Sequence, residues 1–344
     1  MLSTRLSGRR GASSQSFATN NTPITGAPVT NRPKQSIGLN FDARCNAECA
    51  HCCVSSSPRA KSRLNEETIW RIVDDAVNHP DVIEVGLTGG EPLLRVNLAL
   101  DIIRTVSKAG KRVTCVSNAY WARTPATASE MFDKLGQAGL DSLTISYDEF
   151  HADDVPLDTI KNALNASKAS HIPVILNMAV SRTRDSFKII ENLGTAAYCV
   201  PITRFPIVPA GAARDLPDSE FEREPITESS YRCPGFELIL HHDGNAYPCC
   251  SPVIFDTPLT LGKVETESIE TLITKVERNA VLSIIQREGL GWFKSRIAEA
   301  LPESDVAKVD SVVSACELCG IIFSDESYVR AIKSEILDYA KVVA

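Results

Sequence analysis

"DARCNAECAHCC", residues 42–53, sets four cysteines into twelve positions of a chain that carries none before them. Ahead of it Ile37–Phe41 reads as a short β-strand. Behind it Asn65 stands as a helix cap, and Ile69, Ile72, Val73, Ala76 and Val77 follow the i, i+3, i+4, i+7, i+8 spacing of a buried helix face. The cysteines therefore occupy the turn of a β–α unit, and the unit repeats. Further strands are expected at Ile83–Leu87, Arg112–Val116, Ser142–Ser146, Val174–Met178 and Ile202–Ile207. Helical patterns lie between them at about Leu98–Ala109, Ala128–Ala138, Thr159–Ser170 and Ser186–Leu193, the first two ending at Gly110 and Gly139. Six strands alternating with helices predict an α/β fold on a parallel sheet, open or curled towards a barrel. Sites on such sheets lie at the carboxyl ends of the strands, where the cysteine loop is placed.

Composition narrows the chemistry. A chain of 344 residues buries roughly three quarters of the surface its unfolded form exposes, so it needs no disulfide staples. Its net charge of −7 gives no basic footprint for a phosphate backbone, so no nucleic-acid partner is expected. Eleven cysteines, an odd number with no apolar signal segment ahead of them, argue for a reducing compartment, the cytoplasm, where clustered thiols bind metal or do redox work. No run reaches the length of a transmembrane helix, so no membrane partner is expected. Residues 1–36 contain no acid and are rich in Ser, Thr, Asn, Gly and Pro; they are expected to be a disordered tail, with an organelle transit peptide as the alternative.

Two metals compete for Cys45, Cys49 and Cys52. Zinc usually takes paired cysteine units closed to four ligands, and an iron–sulfur cluster also takes four thiolates. Three thiolates leave one iron open, which suits the binding of a substrate.

The spacing Cys45-x3-Cys49-x2-Cys52, with His51 just before the third cysteine, resembles the signature of the radical S-adenosylmethionine (radical SAM) superfamily. The resemblance implies a [4Fe–4S] cluster on these three cysteines, its open iron holding the amino and carboxylate groups of S-adenosylmethionine (SAM). One electron then splits the sulfonium and releases a 5′-deoxyadenosyl radical that takes hydrogen from unactivated carbon. Further similarities follow in order. Gly89, Gly90, Glu91 and Pro92 match the family's GGEP motif, which implies contact with the SAM amino group. Ser117 and Asn118 after the third strand, and Ser146 and Asp148 after the fourth, fall where ribose and carboxylate contacts are implied. "FPIVPAGAA" (205–213) resembles the segment against adenine. These likenesses cover about residues 37–214 and imply a partial (β/α)6 TIM-like barrel.

After an acidic stretch, 215–230, read as a solvated linker, comes "YRCPGFELILHHDGNAYPCC" (231–250). Asp243-Gly244 predicts a two-residue hairpin pairing Leu238–His242 with Asn245–Cys249 and setting Cys249 opposite Leu238. Cys316-x2-Cys319 follows in "SACELCG". Cys233, Cys249, Cys316 and Cys319 make one full thiolate set, for which spacing alone favours zinc. The pattern resembles the SPASM/twitch extension of radical SAM enzymes, in its short twitch form with one auxiliary [4Fe–4S] cluster; Cys250 leaves the choice of ligand open. The implied layout is a small α+β cluster domain at 231–322 and a C-terminal helix at 323–344, with helical patterns at Ile269–Gln286 and Glu326–Val342.

Of the remaining thiols, Cys115 reads as core, and Cys53 as a possible hydrogen donor to a substrate radical; His151 is a candidate acid or base. The resemblance implies reduced flavodoxin or ferredoxin as electron donor. It also implies a residue of a ribosomally made peptide as substrate, for cross-linking, epimerisation or oxidation. The tail ahead of residue 37 is too short and polar for a leader-recognition domain, which a partner chain would then supply. A small molecule such as an aminoglycoside precursor is the alternative substrate, and a non-enzymatic metal scaffold the distant one.

Overall fold

All six expected strands form. The computed structural model describes residues 34–343, so the polar tail lies outside the described residues but for its last three. The strands are β1 (Gln35–Asn40), β2 (Val82–Thr88), β3 (Arg112–Ser117), β4 (Ser142–Ser146), β5 (Val174–Val180) and β6 (Ile202–Pro206). They pair in parallel in chain order. Between them run α1 (Glu66–Asn78), α2 (Val96–Lys108), α3 (Pro125–Ala138), α4 (Leu157–Ser167) and α5 (Phe187–Leu193).

Local chemistry sets these bounds. The Asn65 side chain accepts the Thr68 N–H at 2.7 Å and starts α1, whose Ile69, Ile72, Val73 and Ala76 are buried. Gly139 takes a left-handed φ of 91° to stop α3. Alternate strand residues Ile37 and Leu39, Val85 and Leu87, Val113 and Cys115, Leu143 and Ile145 fill the core. Each such burial is worth about 1.5–3 kcal/mol, which fixes strand register against a one-residue slip.

The carboxyl-terminal region holds β7 (Glu224–Pro225), β8 (Leu238–His241), β9 (Asn245–Tyr247), β10 (Gly262–Lys263) and β11 (Ser311–Val312). It also holds α6 (Ile269–Arg278), α7 (Ala280–Arg287), α8 (Leu290–Ala300), α9 (Asp305–Lys308), α10 (Ala315–Ile322), α11 (Glu326–Ala331) and α12 (Lys333–Val343). Its hairpin extends the barrel sheet instead of forming another: β8 pairs in parallel with β1, giving the order β10-β9-β8-β1-β2-β3-β4-β5-β6. The sheet is open, with β10 and β6 as its edges. β7 and β11 form a separate antiparallel pair.

Three sequence expectations are corrected here. The hairpin register is Ile239↔Tyr247 and Leu240↔Ala246, one residue away from the two-residue turn. Gly244 at φ 85° donates its N–H to His241 O, so the loop is the three-residue kind with a left-handed glycine. The helical pattern over 269–286 is two helices, because Asn279 stays extended and its side chain caps α7 through Leu282 N at 3.1 Å. The final pattern likewise breaks, at Ile332.

Candidate active site

The cysteine loop is held from two sides by backbone. Gly90 N–H donates to Asp42 O at 2.7 Å and Glu91 N–H to Arg44 O at 2.9 Å. A Cβ on Gly90 would stand 2.2 Å from Arg44 O, so glycine is needed there for the approach of the cysteine loop itself. On the far side, Ala212 N–H donates to Cys52 O at 2.9 Å. Gly211, at φ 54°, would put a Cβ 2.5 Å from the same oxygen. The end of the "FPIVPAGAA" segment (205–213) thus packs on the loop.

Donors aim at the sulfurs. Ala47 N lies 3.4 Å and Asn118 Nδ2 3.6 Å from Cys45 Sγ, and Ser56 N lies 3.3 Å from Cys52 Sγ. Burial pushes the Cys45 thiol up to about 12, and mutual repulsion with Cys52 adds to it. Cys49 is raised by burial and by both other cysteines. Three crowded thiols that are costly to ionise alone, yet receive N–H donors, fit a site where cluster irons replace the protons. Among the described residues one ligand trio, Cys49 with His51 and His151, converges within 4.8 Å.

Above the loop lies a cavity of about 220 Å³ at the strand ends. Cys45, Cys49, Cys52, Cys53, Gly89, Gly90, Ser117, Asn118, Ser146, Asp148 and His151 line it, so the structure brings most of the expected site together. Glu91 and Pro92 stand apart from this lining and are buried in the wall. The Glu91 carboxylate accepts Leu93 N at 3.0 Å, Ser117 Oγ at 2.9 Å and Asn118 N at 2.8 Å, tying β2 to the end of β3. Burial pushes it up to about 7 although these donors pull it down. Glu91→Gln is expected to cost about 2–3 kcal/mol in urea unfolding, because its NH₂ must face an N–H already aimed at the site.

Asp148 is locked in the same manner. Its Oδ1 accepts Phe150 N at 3.0 Å, His151 N at 3.1 Å and His151 Nδ1 at 2.9 Å, and its Oδ2 accepts Ala179 N at 3.0 Å. Burial alone would raise this carboxyl, but the His151 bond, His51 and the Ala179 N–H hold it below the usual range. His51 sits 3.6 Å from Asp148 and stacks on Phe150 at 4.6 Å; burial pushes it down to about 4, so it is a neutral ring. His151 is therefore oriented by Asp148 rather than free. Phe205, from the segment likened to an adenine contact, also lines the cavity, as do Asn177 and Pro252, which the sequence reading missed. Asn177 was legible as the one polar side chain in the apolar run of β5 (Val174–Val180).

The second thiol set meets as well. Cys233, Cys249, Cys316 and Cys319 line an apolar cavity of about 210 Å³ with Leu282, Ile285 and Leu290. Cys316 and Cys319 sit three apart on α10 and so share a helix face. Burial raises Cys249 to about 12, with repulsion from Cys233, Cys250 and Cys316 added; Cys319 is raised by burial and by Cys249, Cys316 and Cys233. Pro252 belongs to the walls of both cavities.

The Radical SAM superfamily model matches residues 39–190. A Bacillus subtilis (strain 168) protein that carries the name peptide biosynthesis protein YydG is 35% identical over 300 residues, 84% of this chain and 92% of that protein. The GTP 3′,8-cyclase of Streptomyces coelicolor (strain ATCC BAA-471 / A3(2) / M145) is 31% identical over 159 residues, 42% of this chain and 45% of that enzyme. Among solved structures, anSMEcpe with bound AdoMet and Cp18Cys peptide superposes with a TM-score of 0.51 at 13% identity, over 91% of this chain and 100% of that one, a likeness of fold. The chain belongs to the radical SAM superfamily. It is a radical SAM enzyme, and its cofactors are SAM and [4Fe–4S] iron–sulfur chemistry. Among the described residues no helix is long and apolar enough to cross a membrane.

Proposed function

We propose that this enzyme modifies a residue within a ribosomally made peptide by taking a hydrogen atom from it, an oxidoreductase-type step. The relation to YydG over 92% of that protein's length carries the reading. Cys45, Cys49 and Cys52 hold the SAM-binding cluster; Gly89, Gly90, Ser117, Asn118, Ser146 and Asp148 border SAM, with Glu91 and Pro92 bracing that wall. Cys233, Cys249, Cys316 and Cys319 hold an auxiliary [4Fe–4S] cluster. Residues 37–214 form the SAM-handling part, 215–230 a linker and 231–322 the auxiliary part, followed by the helices α11 and α12. When bound, the cluster and SAM supply a radical that abstracts hydrogen. A reduced flavodoxin or ferredoxin supplies the electron.

Cys53 gives the outcome its direction. Its half-buried thiol lines the main cavity, and burial with Cys52 beside it pushes it up to about 12, so it keeps its hydrogen. Exposed Cys250 is near enough for the two to repel when ionised, and Glu237 lies against it. A thiol that returns a hydrogen to the substrate carbon makes the net change an epimerisation. The thiyl left behind regains an electron and a proton from the reductant and solvent. His151, fixed by Asp148, serves as the acid or base.

The test is an anaerobic incubation in D₂O of iron-loaded protein, SAM and dithionite with any short precursor peptide found encoded beside its gene. The expected products are 5′-deoxyadenosine and a peptide one mass unit heavier. Deuterium uptake is expected to vanish in Cys53→Ala. Uptake lost only in Cys250→Ala would move the donor role there. SAM cleavage with aminoglycoside precursors but not with the peptide would overturn the peptide reading.

A further inference from the structure

β6 is an edge strand, and among the described residues no strand pairs with its outer side. Its ladder to β5 is bounded by Leu176 N–H donating to Pro201 O and Ile207 N–H donating to Val180 O, both at 2.9 Å. In a parallel ladder alternate residues bond to a given neighbour. Residues 201, 203, 205 and 207 thus turn their polar groups to β5. Ile202 and Arg204 turn an N–H and a C=O outward, and Pro206 a C=O. Thr203, Arg204, Phe205 and Pro206 are all exposed, unlike the half-covered residues of the inner strands.

This edge is continuous with the active site. Phe205 and Pro206 line the main cavity beside the cysteine loop. Phe205 is 43% exposed and Phe187, at the start of α5, is 58% exposed, with the Arg204 guanidinium 4.1 Å from its ring. The other edge, β10, has two residues and neither lines the cavity.

We propose that the substrate peptide adds to β6 as an extended strand, pairing with the outward backbone of Ile202 and Arg204, and is led past Phe205 into the cavity. The proposal rests on the peptide reading above and adds its binding mode. An extended peptide offers one donor and one acceptor per residue, the complement of such a row, and strand addition is a common mode of peptide capture. The strand's five residues span about 17 Å, enough for two or three pairs. Pro201, Pro206 and Arg204 limit pairing to that short stretch, which guards against self-association and suits a substrate that must leave.

Arg204→Pro removes one outward N–H that β5 does not use, and proline is tolerated on edge strands. Arg204→Gln keeps that N–H and removes the charge. With the neighbouring-gene peptide, the proline variant is expected to raise KM at least about fivefold, the glutamine variant less than about twofold. Equal rises in both, or none in either, would overturn strand pairing. Amide exchange on the wild-type protein covers the chance that the proline variant misfolds. Peptide is expected to protect the Ile202 and Arg204 amides, and unchanged exchange there while the peptide is turned over would defeat this proposal alone. A peptide that is not turned over at all defeats both readings.

Discussion

Cys49→Ala protein, loaded with iron and assayed with dithionite and SAM, is expected to give at least about a thousandfold less 5′-deoxyadenosine and to carry about four fewer irons per chain. No neighbour replaces that ligand. Cys53 sits next to Cys52 and is held through the carbonyl row that Gly211 crowds, so it is placed to compensate at position 52 and not at 49. His51 and His151 approach Cys49, but both rings face Asp148, whose carboxylate is fully engaged. The control is Cys115→Ala. That thiol is buried in β3 and lies away from the cavity lining, so SAM cleavage is expected within about twofold and stability lower by about 1 kcal/mol. Equal loss in both variants would mean that misfolding, not ligand removal, explains the first.

The parallel α/β sheet was legible because its strands carry a two-residue burial period and its helices a helical one, and because Asn65, Gly110 and Gly139 mark ends whose geometry those residues prefer. The cysteine spacings group the same two thiol sets that line the two cavities. What escaped was set by contacts distant in sequence. Nothing in Leu238–His241 says that it will lie beside β1, since one apolar strand pairs as well with several others. The hairpin slip arose because Gly244 serves either turn type. α8 and α10 were missed because Gly289, Gly291 and Gly320 disguise their helical pattern. Glu91 carries a role that the motif alone does not spell out. Its carboxylate accepts three N–H and O–H donors from Leu93, Ser117 and Asn118, just beyond β2 and at the end of β3. It acts on the cavity by fixing Ser117 and Asn118, which do line it.

The paired substitution Cys316→Ala/Cys319→Ala is expected to lower iron from about eight to about four per chain. It should also lower thermal stability, because α10 would then present two methyl groups to a cavity of about 210 Å³ walled by Leu282, Ile285 and Leu290. Zinc is the competing occupant, and metal analysis separates the two. A structural zinc would appear as one ion per wild-type chain and leave iron unchanged in the variant. The geometry favours a redox group over a purely structural ion. Pro252 borders both cavities, so an electron passing from the second thiol site to the proposed Cys53 thiyl has that shared wall to cross. SAM cleavage without peptide should then survive the double substitution better than peptide modification does. Parallel loss of the two would assign the second thiol set to holding the fold alone.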